Sequence, residues 1–307
     1  MAKGVNSSSH KSKLIISRQH LVVGVIILII LIGIFVHFVW DNPTRVFNQM
    51  LSNTLTTSSY TKTINDFVTG QHSSQVITVE TGAVNRAYMA QTLSVPGYSE
   101  GIIKIVSIGT PTTDYSKYTV LNTLARNSSG KSINFAPALG LWGENSPSVS
   151  SLTEGELFNN ALIDIVPMAN VNPQSRKQLL NYIKTNKVYT FSGAVKSGSV
   201  NGRPELVYNV TVNLHYLQNY LNQFGGDIGL NQFNAKAVNV STLPITDTQH
   251  VQFYIDTLSR QLSGIKFTGT NKSYSYSSYG ANLQINLPKK YMKLADLEKY
   301  IQSLSTK

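Results

Sequence analysis

Apolar and polar positions alternate along most of the chain, and the places where that alternation yields to a helical period divide it into elements. Val251, Phe253 and Ile255 point one way while Gln252, Tyr254 and Asp256 oppose them; after a polar stretch, Ile265 and Phe267 again share a face. Period-two alternation on both sides of a polar turn predicts an antiparallel hairpin with one apolar face. Similar segments cover residues 60–69, 75–81, 85–93, 102–108 and 115–121, each bounded by Gly, Pro, Asn or Ser, the pattern of a meander. Further strands are predicted over 188–196 and 205–214, and in a run ending YGANLQINLP where Tyr279, Ala281, Leu283, Ile285 and Leu287 fall on one face.

Helical stripes punctuate these strands. Asn42 and Pro43 suit a helix start, followed by Val46, Phe47, Met50, Leu51 and Leu55 on one side. Thr153 with Glu156 reads as a capping box before Leu157, Phe158, Ala161, Leu162 and Ile165. Asn172-Pro173 opens a helix carrying Leu179, Leu180 and Ile183. Leu214, Leu217, Leu221 and Phe224 form another, predicted to stop at Gly225-Gly226, and Leu294, Leu297, Ile301 and Leu304 form the last. Strands, helices and strands again, with no internal repeat, indicate an α+β domain.

One stretch has no alternation at all. LVVGVIILIILIGIFVHFVW, residues 21–40, is long enough as a helix, roughly 30 Å, to cross a bilayer's hydrocarbon core. Phe35, Phe38 and Trp40 cluster at one end as an aromatic belt would. Lys3, Lys11, Lys13 and Arg18 precede it without an acid, so the positive-inside rule keeps the tail in the cytoplasm and exports the rest. A cleaved signal peptide is the rival reading; the apolar run is long for one, and no A-x-A-like site follows. The expected organisation is a basic cytoplasmic tail (1–20), a signal-anchor transmembrane helix (21–40) and an exported α+β domain (42–305). The expected location is the cell membrane, single-pass, with an extracytoplasmic C-terminal domain.

Charge and composition add exclusions. The 307 residues carry a net charge of +11 and no cysteine, which removes thiol chemistry, disulfides and a lipidated N-terminal cysteine. Beyond Trp40 lie 22 of the 26 basic residues and all 15 acids, leaving that part at +7 with its cations scattered. A solvated surface fits this better than a nucleic-acid groove. His72, His215 and His250 have no zinc spacing. Ser59-Tyr60-Thr61-Lys62 and Ser128-Ser129-Gly130-Lys131 fit S-x-x-K, but the companion S-D-N and K-T-G motifs are missing. The expectation is a protein that is not an enzyme and takes no cofactor or metal.

The order of elements resembles a known family. An N-terminal amphipathic helix, a meander, central helices and hairpins, with VQFYIDTLSRQLSGIKF and the closing YGANLQINLPKKYMKLADLEKYI, is similar to the LolA/LppX-like lipoprotein- and lipid-carrier superfamily. The resemblance implies a curved antiparallel half-barrel sheet packed on helices, with an apolar cavity between them. Phe253, Ile255, Ile265 and Phe267 would line its concave face, with Leu283 and Ile285 as further candidates. The expected function is binding of an apolar or lipid-like ligand, with the membrane and an envelope protein as partners and no nucleic acid. The alternative is a non-catalytic envelope scaffold or interaction module whose core is filled, the helix from Leu214 to Phe224 being positioned to fill it.

Overall fold

A computed structural model describes residues 27–28, 42–68, 71–82, 84–94, 101–126, 129–145, 156–192, 195–200, 203–230 and 244–305. The chain divides after Arg45 into an N-terminal unit and a body, Val46–Lys307. The predicted anchor lies outside the described residues except Ile27 and Leu28, which are helical and exposed. Among the described residues no helix is long and apolar enough to cross a membrane. Thr153 also lies outside them, so the capping box is not described.

The body is mixed α+β: one large curved antiparallel sheet with helices against it. Its strands are β1 (Ser59–Val68), β2 (Gln71–Glu80), β3 (Arg86–Ser94), β4 (Ile102–Gly109), β5 (Asp114–Asn122), β6 (Gly143–Asn145), β7 (Tyr189–Phe191), β8 (Lys196–Val200), β9 (Arg203–Asn213), β10 (Thr248–Asp256), β11 (Leu262–Phe267), β12 (Ser273–Ser277) and β13 (Met292–Lys293). They run β13-β6-β5-β4-β3-β2-β1-β12-β11-β10-β9-β7, with β8 also on β9. The β13–β6 pair is parallel; every other pairing is antiparallel. Sequential meanders build each half, and β1 pairing with β12 joins them. Five helices are described: α1 (Pro43–Thr54), α2 (Glu156–Leu162), α3 (Pro173–Asn186), α4 (Leu214–Asp227) and α5 (Leu294–Ser305).

Local chemistry explains the helix ends. The Asn42 side chain accepts from Arg45 N at 3.1 Å, and Asn172 from Ser175 N at 3.0 Å, so both predicted caps form. Helix α4 does not stop at Gly225-Gly226 but runs through them. It ends in a Schellman turn, Leu230 N donating to Gly225 O at 2.8 Å and Gly229 N to Gly226 O at 3.1 Å. Gly229, at φ +77°, supplies the left-handed residue this turn needs.

The run from Tyr279 to Leu287 is not a strand. Ser278, Gly280 and Gln284 have φ of +56°, +68° and +44°, which breaks the extended backbone every few residues. The segment instead straps across the sheet. Gly280 N donates to Ser59 O, Arg86 Nη1 to Ile285 O at 2.6 Å, and Ile285 N to Glu80 Oε2 at 3.5 Å.

The core lies on the helix-bearing face. Register places Tyr208, Phe253, Ile265, Tyr274 and Ile64 in one row across β9, β10, β11, β12 and β1. Phe47 of α1 stacks on Phe253 at 6.1 Å between ring centroids and tilts against Tyr208 and Phe191 at 5.5 and 5.1 Å. Leu179 and Ile183 of α3, and Leu217, Tyr220, Leu221 and Phe224 of α4, join the same cluster. This half of the sheet is closely packed.

Candidate functional site

The other half is covered differently. Lys62, Ile77, Met89, Ser107 and Ser116 stand in one row across β1 to β5, and Tyr60, Val79, Ala87, Gly109 and Asp114 form a second, deeper row. The short helix α2 lies against β2, β3 and β4. A cavity of about 430 Å³ remains beneath it, with Ile64, Ile77, Met89, Leu157, Ala161, Ile163 and Tyr274 giving apolar wall and Lys62, Gln75, Ser107, Asp114, Ser116, Glu156, Asn160 and Asp164 giving polar groups. That volume falls in the range, about 300–1,000 Å³, of small-molecule sites.

Gly109 sets the approach of α2. A Cβ built there would lie 2.8 Å from Leu157 Cβ and 2.9 Å from Phe158 N, so only glycine lets the helix come this close. Beside it, Asp114 Oδ2 accepts from Leu157 N at 3.2 Å. Asp114 Oδ1 is buried and has no hydrogen-bond partner among the described residues. Burial, opposed by the amide of Leu157 and assisted by the nearby Glu156 charge, pushes the Asp114 carboxyl up to about 6.

The far wall holds an ion pair. Lys62 Nζ meets Asp164 Oδ2 at 2.9 Å, with side chains 5% and 11% exposed. Tyr276 Oη donates to the same oxygen at 3.4 Å, Ile165 N donates to Asp164 Oδ1 at 2.7 Å, and the Tyr274 ring lies 5.1 Å from Lys62 Nζ. Tyr60 Oη donates to Ala161 O at 2.7 Å. Burial first, and the Asp164 charge second, hold the Tyr60 and Tyr276 hydroxyls well above the usual tyrosine range, so both remain donors. These bonds tie the end of α2 and the following turn to the sheet. On the floor, Ser107 Oγ and Ser116 Oγ share a hydrogen bond of 2.8 Å. The arrangement can hold a molecule with an apolar body and a polar end.

None of the six residues singled out from the sequence lines this cavity. Phe253, Ile255 and Ile265 are 0–1% exposed inside the aromatic core. Phe267 is half-buried against Tyr274, its ring centroid 4.9 Å away, and borders an open recess of about 470 Å³ at the β11–β12 turn. Leu283 and Ile285 ride on the strap, which is bonded to Glu80 and Arg86; these alternate with Val79 and Ala87 and so belong to the opposite face. The residues that do converge were legible only faintly. In Tyr60-Thr61-Lys62-Thr63-Ile64 the lysine occupies an inward position, a signal for a buried charge.

The S-x-x-K match dissolves for the same reason. Ser59 and Lys62 are three apart on a strand and face opposite ways; Ser59 Oγ donates to Ala281 O at 2.6 Å while Lys62 pairs with Asp164. His250 Nδ1 lies 3.1 Å from Thr211 Oγ1, and among the described residues no group of three His, Cys, Asp or Glu could hold a metal.

No family model matches the sequence, and no curated protein matches it. Among solved structures, LprF from Mycobacterium bovis is similar over 80% of this chain and 95% of that chain, at 11% identity and a TM-score of 0.42.

Proposed function

We propose that this is a single-pass, membrane-anchored extracytoplasmic protein, not a catalyst, which binds an amphipathic, lipid-like ligand in a half-barrel cavity. The observation that carries the reading is the space of about 430 Å³ under α2, lined by apolar side chains and polar groups together. An acyl chain lies along Ile64, Ile77, Met89, Leu157 and Ile163, and its polar end meets Ser116, Asp114 and the rim. The anchor reading rests on residues 21–40 and the basic residues before them. A filled scaffold is the second reading, favoured by the complete burial of Phe253 and Ile255.

Ser116 is half-buried on the cavity floor, so Ser116→Phe puts a ring into the space without touching the aromatic core. Titration of the full chain with a fluorescent long-chain acyl probe separates the two readings. Saturable binding by the parent, reduced about tenfold or more in a folded Ser116→Phe variant, is the expected result. A parent that binds no probe leaves the scaffold.

A further inference from the structure

The charges of the body are unevenly placed along the chain. From Ile165 to Pro204 there are six cations, Arg176, Lys177, Lys184, Lys187, Lys196 and Arg203, and no acid. Helix α3 turns Leu179 and Ile183 into the core, while Lys184 in its last turn and Lys187 at its left-handed C-cap stand exposed. Neither lysine forms an ion pair among the described residues. Asn213 joins this helix end to a second exposed feature: its backbone N–H donates to Val188 O at 2.9 Å and its side-chain amide to Ile245 O at 2.8 Å. Ile245 is 60% exposed on the turn that leads into β10. The acid of that turn, Asp247, is half-buried, its carbonyl accepting from Leu214 N at 2.9 Å.

Helix α1 relates this end of the sheet to the start of the body. Phe47 lies against Phe191 and Phe253, and Asn53 Nδ2 donates to Ser259 O and Arg260 O at 3.2 and 2.9 Å, beyond the end of β10. The helix therefore runs along β10 from start toward end, and its first residues lie toward Lys187 and Ile245. The Phe47 ring is 6.5 Å from that of Tyr189, two residues past Lys187. Val46, where the body begins, follows Trp40 by six residues. A chain of that length spans at most roughly 20 Å. Lysines beside an exposed apolar side chain, this close to a bilayer, combine the charge attraction and shallow insertion by which proteins lie on anionic lipid.

Resting on the anchor reading above, and on no property of the cavity, we propose that the surface formed by Lys184, Lys187 and Ile245 docks on the anionic head groups of the bilayer that holds the chain. Ile245 enters the interface and the two lysines meet lipid phosphates. Docking fixes which end of the sheet faces lipid. The exposed group Lys289, Lys290 and Lys293 follows the strap bonded to Ser59, Glu80 and Arg86 at the other end of the sheet, and takes no part.

The absence of native cysteine makes the test direct. Ile245→Cys carries one bimane label, and Leu258→Cys, at a position 75% exposed beyond the far end of β10, carries the same label as control. Each full chain is reconstituted in vesicles of phosphatidylcholine, with or without phosphatidylglycerol, that contain a nitroxide lipid as quencher. The expected result is quenching at 245 on the anionic vesicles, little at 258, and recovery at high salt. Lys184→Gln with Lys187→Gln should lower the docked-to-free ratio about tenfold or more, each lysine beside an anionic surface contributing roughly fivefold. Lys289→Gln with Lys290→Gln should leave it unchanged. Equal quenching at 245 and 258, or quenching at 258 alone, overturns the assignment of the face. Quenching at 245 that the Lys184 and Lys187 substitutions do not alter overturns their role. An alkaline carbonate wash of the phosphatidylcholine vesicles reads the anchor separately. A chain stripped by it overturns the anchor reading and this inference with it; a chain that stays, with its 245 label in water on anionic vesicles, overturns the docking alone and returns the patch to an acidic protein partner.

Discussion

Asp114 is the residue at which packing and chemistry conflict most openly. Its carboxyl is raised from 3.8 to about 6, chiefly by burial, because Gly109 lets α2 settle on top of it. Between those two values the folded protein holds a proton that the unfolded chain has lost, so this group's contribution to stability falls as pH rises through the window. Asp114→Asn cannot titrate and keeps an acceptor for Leu157 N. The difference in melting temperature, variant minus parent, is therefore expected to become more positive between about pH 4 and pH 7, read by circular dichroism. A constant difference would mean that the carboxyl is solvated. Nothing in "TDYSK" marks Asp114 as buried, since an aspartate at the start of a strand ordinarily faces water. Its environment comes from a helix more than forty residues later in the chain. Lys62 carries a signal that the sequence reading passed over: it breaks the apolar series Tyr60, Ile64 on a face the meander already assigns inward. Its partner Asp164 sits in an irregular turn, where no periodicity could point to it.

At the scale of elements, alternation located β1 to β5, β9, β10 and β11 to within a few residues, because each has one buried face and a polar boundary. It misplaced the run around Leu283 and Ile285, whose alternation is real but whose backbone is interrupted at Ser278, Gly280 and Gln284. Alternation counts side chains, and left-handed residues inside the run are invisible to it. It also could not say what covers a face. The β10–β11 hairpin and the β1–β5 meander present the same inward pattern, yet the hairpin's Phe253 is packed under the aromatic ring of Phe47 from α1 while α2 lies against β2, β3 and β4. Phe253 tests this division. It is fully buried, with Phe47 stacked on it and Tyr189 6.1 Å away, so Phe253→Ala leaves a hole in a packed cluster. Denaturant unfolding should show a loss of about 3–5 kcal/mol, the cost of truncating a core phenylalanine. A loss below about 1 kcal/mol would place an open space beside the hairpin after all.

The whole body follows from one sheet whose two halves are served unequally. The seven-residue helix α2 lies against β2, β3 and β4, and polar groups gather in the space beneath it. The fold class was legible from the order of stripes and alternations, but the division of labour between meander and hairpin was not. The cavity's address was not, because it depends on which helices return to which half, a property of loops. The position of a chain-like ligand in the fold is therefore decisive. Photo-crosslinking of the full chain with a diazirine-bearing alkyl probe, followed by peptide mapping, reads that position directly. Labelling at Ile64, Ile77, Met89, Leu157 or Ile163, suppressed by unlabelled competitor and by Ser116→Phe, is the predicted result. Labelling confined to residues 21–40, or to the hairpin around Phe253 and Ile265, would contradict it.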